Sequence, residues 1–249
     1  MSRIEVAITT PDGAARAFTF TPSHGDGPWP AVIFYMDAPA IRPALFGMSQ
    51  RLADLGYFVL LPDMFWRGGL YDPIDITAIK TDEDRRAIFG KFFATTSPEK
   101  GMSDTGAFLD FLSAHPQVKG RKVGATGYCM GGAAVLRAAG TYPDRIVAGG
   151  AFHGGGMATD APDSPHLLIP KMRARILVAG ADEDRGFDDT QCARLDAAFK
   201  AAGVEAEVTI YRGAKHGYAP PDMPVYDVEA SERHWRELTA LLDGALKAA

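Results

Sequence analysis

Strands that alternate with helices after a short antiparallel start predict an α/β chain. The expected architecture is a mostly parallel central sheet with an antiparallel N-terminal hairpin and helices on both faces. Two observations carry this. Continuous apolar runs at 31–36, 57–61, 122–126 and 174–179 suit strands buried on both faces of a parallel sheet. Between them stand segments whose apolar residues recur at helical spacing.

Residues 3–9 alternate apolar and polar, with Ile4, Val6 and Ile8 on one face, and turn at Pro11-Asp12-Gly13. Residues 15–21 alternate again and complete the hairpin. After the run 31–36, Leu45, Met48, Leu52 and Leu55 mark a helix over 40–55 that Gly56 closes. The strand 57–61 leads into a loop at 63–69, and helices follow over 81–96 and 98–115. The strand 122–126 precedes a small-residue helix at 130–141. Residues 146–152 read as a glycine-rich strand and 153–163 as a long surface loop. A helix over 188–202 ends at Gly203, a strand spans 204–211, and a last helix runs from about 225 to 247. Its apolar face is Val228, Trp235, Leu238, Leu242 and Ala245, which leaves His234 on the solvated flank.

The chain has 249 residues, 31 acidic and 26 basic, for a formal charge of −5, and 47% are apolar. That length fits a single domain over 1–249, since no repeat or linker interrupts the pattern. The apolar content excludes global disorder. A mildly acidic surface repels phosphate and argues against a nucleic-acid partner. No apolar run reaches the roughly 18 residues of a membrane span. The N-terminus has no apolar stretch of a signal peptide. Cys129 and Cys192 form neither a metal motif nor a disulfide framework, so a cytoplasmic setting is expected. The chain contains no asparagine, which excludes N-glycosylation and a Cys-His-Asn site.

In parallel sheets, ligands bind beyond the carboxyl ends of the strands. After the strand 122–126 stands Gly127-Tyr128-Cys129-Met130-Gly131-Gly132, a G-x-C-x-G nucleophile elbow with Cys in place of Ser. A sharp strand-to-helix turn holds the sulfur at a helix N-terminus, where dipole and free N–H groups favour a thiolate. The Met130 N–H is aimed where an oxyanion would form. An inert cysteine in a glycine turn is the plain alternative, and Cys192, inside an amphipathic helix, reads as packing.

A thiol nucleophile needs a base and the base needs an orienting acceptor. His216, in Lys215-His216-Gly217-Tyr218 after the last strand, is placed to reach the carboxyl edge. His24, His115 and His166 are not. His153-Gly154-Gly155-Gly156 resembles an oxyanion loop but follows the elbow, so it reads as a turn. For the acid, the loop Gly180-Ala181-Asp182-Glu183-Asp184 offers Asp182, first past the turn, with Asp184 second.

With these residues the chain resembles the dienelactone hydrolase family, over about 3–246. Gly127–Gly132, Asp182 and His216 carry the resemblance, with 57–65 (YFVLLPDMF) and 120–132 (GRKVGATGYCMGG). The resemblance implies an α/β-hydrolase fold, a Cys129-Asp182-His216 triad in that chain order, and hydrolysis of a cyclic enol lactone to an open-chain dicarboxylate. It further implies oxyanion donors at the Met130 and Ala38 N–H groups, and an acid at Asp37, where the family typically has Glu, paired with the resting thiol. Arg85, with Arg86 beside it, falls at a position that holds the substrate carboxylate. A second family arginine is replaced by Pro220. The implied partner is a small ester or lactone handled by a monomer or small homo-oligomer, without metal or cofactor. Two rival functions use the same residues: a general carboxylesterase or thioesterase, and a non-catalytic ligand-binding protein.

Overall fold

The computed structural model describes residues 3–79 and 81–247. Eight strands form one sheet in the order β1-β2-β4-β3-β5-β6-β7-β8. They are β1 (Ile4–Thr10), β2 (Gly13–Phe20), β3 (Trp29–Tyr35), β4 (Phe58–Pro62), β5 (Val118–Tyr128), β6 (Ile146–Phe152), β7 (Arg175–Ala181) and β8 (Ala206–Tyr211). β1 and β2 pair antiparallel, as do β2 and β4. Every pairing from β4 through β8 is parallel. The sheet is therefore the predicted one, hairpin included.

Among the described residues six α-helices cover it: α1 (Pro43–Asp54), α2 (Asp82–Thr95), α3 (Pro98–Ala114), α4 (Met130–Thr141), α5 (Asp189–Ala202) and α6 (Val228–Leu246). Side chains alternate across β3, so Val32 and Phe34 join one core and Ala31, Ile33 and Tyr35 the other. The first core packs under α1 and α6 through Leu45, Leu52, Trp235 and Leu238. The second lies under α3, α4 and α5 through Leu109, Val135, Leu195 and Phe199.

The helix ends follow from local chemistry. Ser97 and Asp188 accept from Lys100 N–H and Gln191 N–H, opening α3 and α5. Asp227 accepts from Ala230 N–H and starts α6 at Val228, three residues later than the apolar spacing suggested. Thr81 and Asp84 make a reciprocal capping box at α2. Three short 3₁₀ turns, at Trp66–Gly68, Ile76–Ala78 and Pro165–Lys171, lie in segments without helical periodicity. No helix among the described residues is long and apolar enough to cross a membrane.

Glycines in β5 and β6 bring α6 onto the sheet. A Cβ at Gly124 would lie 2.6 Å from Leu242, and one at Gly150 would lie 2.9 Å from Leu238. Those leucines fill the space that the missing side chains leave, and both are fully buried. Leu238→Ala is therefore expected to lower stability by about 2–5 kcal/mol in urea unfolding. A loss below about 1 kcal/mol would mean that α6 can collapse onto the sheet and that the packing is loose.

Candidate active site

The parallel register gathers five strand ends at one edge. Tyr35 lies opposite Gly127, Tyr128 opposite Phe152, Phe152 opposite Ala179 and Ala181 opposite Tyr211. Residues 36–40, 129, 153, 182–184 and 212–216 therefore start from neighbouring points.

Cys129 sits between β5 and α4 with φ 53° and ψ −118°, a backbone region costly for a residue with a side chain. Close packing holds it there. A Cβ on Gly127 would lie 2.1 Å from the Gly131 carbonyl oxygen. One on Gly131 would lie 2.5 Å from the Tyr35 carbonyl oxygen and 2.7 Å from that of Met36. These approaches press the start of α4 against the end of β3, two residues before Ala38. The Met130 N–H, in the first turn of α4, has no acceptor four residues back. The Cys129 thiol is half-buried, as is that of Cys192 in α5.

His216 follows β8 in a turn where Tyr218 N–H donates to Lys215 O. Its Nδ1–H donates to Asp184 Oδ2 at 2.6 Å, and the Cys129 side chain lies near enough to act on its charge. With Nδ1 engaged, Nε2 is the nitrogen left for sulfur. Burial disfavours the imidazolium, but the Asp184 carboxylate that accepts from Nδ1–H and the neighbouring Cys129 override it and lift the His216 pKa to about 10. Burial also opposes ionisation of Asp184, yet the His216 and Gly186 hydrogen bonds hold its carboxyl below the ordinary carboxylate value.

Asp182 does not reach His216, in contrast to the expectation. Its carboxylate accepts from Gly213 N–H at 2.9 Å and from Arg212 Nη1 at 3.0 Å, and its own N–H donates to Ala214 O. Those bonds hold the turn between β8 and His216. The reason lies at Glu183, whose left-handed φ of 52° turns the chain between the two aspartates, so that Asp184 and not Asp182 meets His216. Asp184 is anchored there by Gly186 N–H at 2.8 Å. Nothing in the spelling of the loop separates two aspartates that are two residues apart.

Asp37 departs from expectation as well. It is 2% exposed, and both its oxygens accept from Arg42 rather than pairing with the thiol, at 2.5 and 2.9 Å. Burial pushes its carboxyl above the ordinary value, against the pull of Arg42. Aspartate, short and beside a bidentate fork, is held at the guanidinium. Ala38 follows it directly and is half-buried. Arg85 stands exposed on α2, with Arg86 exposed beside it. The same helix turns Phe89 and Phe92 inward, where Phe92 stacks on Phe65 at 4.8 Å between centroids.

Two histidines prove more central than the sequence suggested. His153 carries φ 37° and is 1% exposed, its ring 5.3 Å from that of His216 and 5.0 Å from that of Tyr218. Burial holds it neutral, helped by repulsion from His216. His234 is fully buried instead of solvated. Its Nδ1 pairs with Ser231 O and its Nε2 with Tyr128 OH at 3.1 Å, so α6 braces the residue before Cys129. Burial drives the His234 pKa down to about 3. A histidine one place from Trp235 on an apolar helix was the available signal.

The model of the dienelactone hydrolase family matches residues 15–246. The "Putative carboxymethylenebutenolidase" of Methylorubrum extorquens is 26% identical over 237 residues, spanning 94% of this chain and 78% of that protein. The protein of the same name from Escherichia coli K12 is 25% identical over 251 residues, spanning 93% and 88%. Among solved structures, a dienelactone hydrolase-like promiscuous phosphotriesterase from metagenomic libraries superposes with a TM-score of 0.79 at 24% identity, covering 98% of both chains.

The hydrogen bonds at His216 make a pair of opposite expectations. Asp184→Asn should lower ester turnover by about 10²–10⁴-fold, while Asp182→Asn, which faces Arg212, should stay within about tenfold. The sign of the pH effect follows from the raised His216 pKa. Its contribution to stability is full below the unfolded value of about 6.5. It is lost as pH rises toward the folded value of about 10. Urea unfolding of wild type and Asp184→Asn should therefore differ most below pH 6.5 and converge toward pH 10. Equal turnover in wild type and Asp184→Asn would contradict the assignment.

Proposed function

Because this chain belongs to the dienelactone hydrolase family, whose model spans residues 15–246, we propose that it hydrolyses a small lactone or ester through a covalent thioester on Cys129. Membership gives the reaction class, cleavage of ester or lactone bonds on an α/β-hydrolase fold. The observation that carries the finer reading is the Asp184–His216 hydrogen bond set beside Cys129 at the strained turn before α4.

The steps follow from the positions. Asp184 fixes the His216 tautomer with Nδ1 protonated, leaving Nε2 for the thiol proton. The Cys129 thiolate attacks the carbonyl carbon and the C–S bond forms. The N–H groups of Met130 and Ala38 receive the negative oxygen, near the junction where α4 meets β3. As the C–O bond breaks, His216 gives its proton to the leaving oxygen. His216 then takes a proton from water, the resulting hydroxide attacks the thioester, and the acid departs as the thiol is restored. In a lactone the leaving oxygen stays tethered to the acyl group and ends in the same product.

Arg85 is the proposed partner for a substrate carboxylate, from its place on α2. One observation favours a second substrate class: Pro220, buried, stands where the family has a further arginine, so a neutral ester suits the site better than a dicarboxylate precursor. A monomer or small oligomer in the cytoplasm completes the reading, in keeping with two free cysteines.

The test compares wild type with Cys129→Ala on a dienelactone and on p-nitrophenyl acetate. The expected loss is at least about 10³-fold on every substrate that wild type turns over. Turnover of the acetate alone would assign a neutral ester as substrate. Equal turnover by both proteins would place the nucleophile elsewhere, and no turnover by wild type would leave a ligand-binding role on a hydrolase fold.

A further inference from the structure

The loop after β3 and the loop after β8 are 180 residues apart in sequence at Arg42 and Asp222. One guanidinium joins them. Arg42 is 5% exposed and all five of its N–H bonds are directed at acceptors. Nη1 donates to Asp37 Oδ1 at 2.5 Å and to Ala40 O at 3.1 Å. Nη2 donates to Asp37 Oδ2 at 2.9 Å and to Asp222 Oδ1 at 3.1 Å. Nε donates to Asp222 Oδ2 at 2.6 Å.

Each acceptor sits on a segment that the reaction uses. Asp37 and Ala40 bracket Ala38 in a turn closed by Ala40 N–H to Asp37 O at 3.1 Å, with Ala40 at φ 66°. Ala40 is not a glycine, so that turn is strained and needs an external hold. On the other side, Asp222 lies in the turn closed by Met223 N–H to Pro220 O. Met223 packs against Gly217, the residue after His216, so closely that a Cβ there would lie 2.9 Å from its terminal methyl.

We propose that Arg42 is a positioning residue that locks the turn bearing the Ala38 N–H to the loop bearing His216, with Asp222 as its second anchor. The proposal rests on the esterase reading above and adds the means by which oxyanion donor and base keep their mutual distance. A buried guanidinium suits the task, because its planar fork fixes two carboxylates at once, which the single point charge of lysine cannot do. Arg42 does not touch substrate, since its donors are already occupied.

The predicted signature separates positioning from general damage. Attack of Cys129 on iodoacetamide passes through no oxyanion, whereas ester hydrolysis does. In Asp222→Asn, which alters the half-exposed end of the clamp, kcat on p-nitrophenyl acetate should fall about tenfold or more, with KM held within about twofold. The rate of Cys129 alkylation by iodoacetamide should stay within about twofold of wild type. Arg42→Lys should show the same split, larger. Hydrogen exchange of the peptide over 37–41 should quicken in both variants. Asp222→Asn also serves if Arg42→Lys fails to fold.

Unchanged kcat in Asp222→Asn, hydrolysis and alkylation falling together, or unchanged exchange over 37–41 would each overturn the proposal while wild type remains an esterase. A wild type that turns over no ester overturns the parent reading as well, and is recognised by wild type alone.

Discussion

The start of α4 meets the end of β3 with no room for a single methyl group. Gly127 lies against the Gly131 carbonyl, and Gly131 lies against the carbonyls of Tyr35 and Met36. Much else is a consequence of that approach. It forces Cys129 into its strained backbone, holds that residue at a helix N-terminus, and sets the first N–H groups of α4 beside the segment that holds Ala38. Strain of this kind persists only where the surroundings over-determine it. Here the Cys129 N–H donates to Phe152 O, and the side chain of the preceding Tyr128 is held by His234 from α6.

Around that fixed point the remaining chemistry is delivered by loops whose shape depends on polar contacts. Two aspartates with different tasks show how. Asp182 spends its carboxylate on Gly213 N–H and Arg212 and so shapes the turn that carries His216. Asp184 spends its carboxylate on the imidazole itself. The two lie either side of a left-handed residue, Glu183, and one reversal of the chain assigns both. The group Asp37–Arg42–Asp222, buried at its first two members, does similar work across the site.

What was legible in the sequence follows the same division. The sheet, its hairpin, the helices on both faces and the elbow could be read because apolar periodicity and glycine spacing are local signals. Cys129 and His216 could be placed because a strand end is visible in the chain. The partner of His216 could not, since Asp182 and Asp184 differ only in backbone direction. Nor could the partner of Asp37, because Arg42 reaches it across a turn and then reaches on to a loop 180 residues away. Resemblance suggested a thiol for Asp37, whereas the nearby guanidinium decides its contacts. His153 and His234 were read as a turn residue and a solvated flank because a histidine's own hydropathy does not mark burial; for His234 only its neighbour Trp235 gave a signal. Both stand within ring contact of Tyr128, one residue from Cys129.

The most direct measurement of the central claim is to identify the covalent intermediate. Wild type mixed with p-nitrophenyl acetate, quenched in acid within its first turnovers and digested, should carry one acetyl group as a hydroxylamine-sensitive thioester. It should lie on the peptide containing Cys129 and not on that containing Cys192. Steady turnover with the acetyl group on another side chain, or with Cys129 already blocked by alkylation, would contradict the claim that this thiol is the nucleophile.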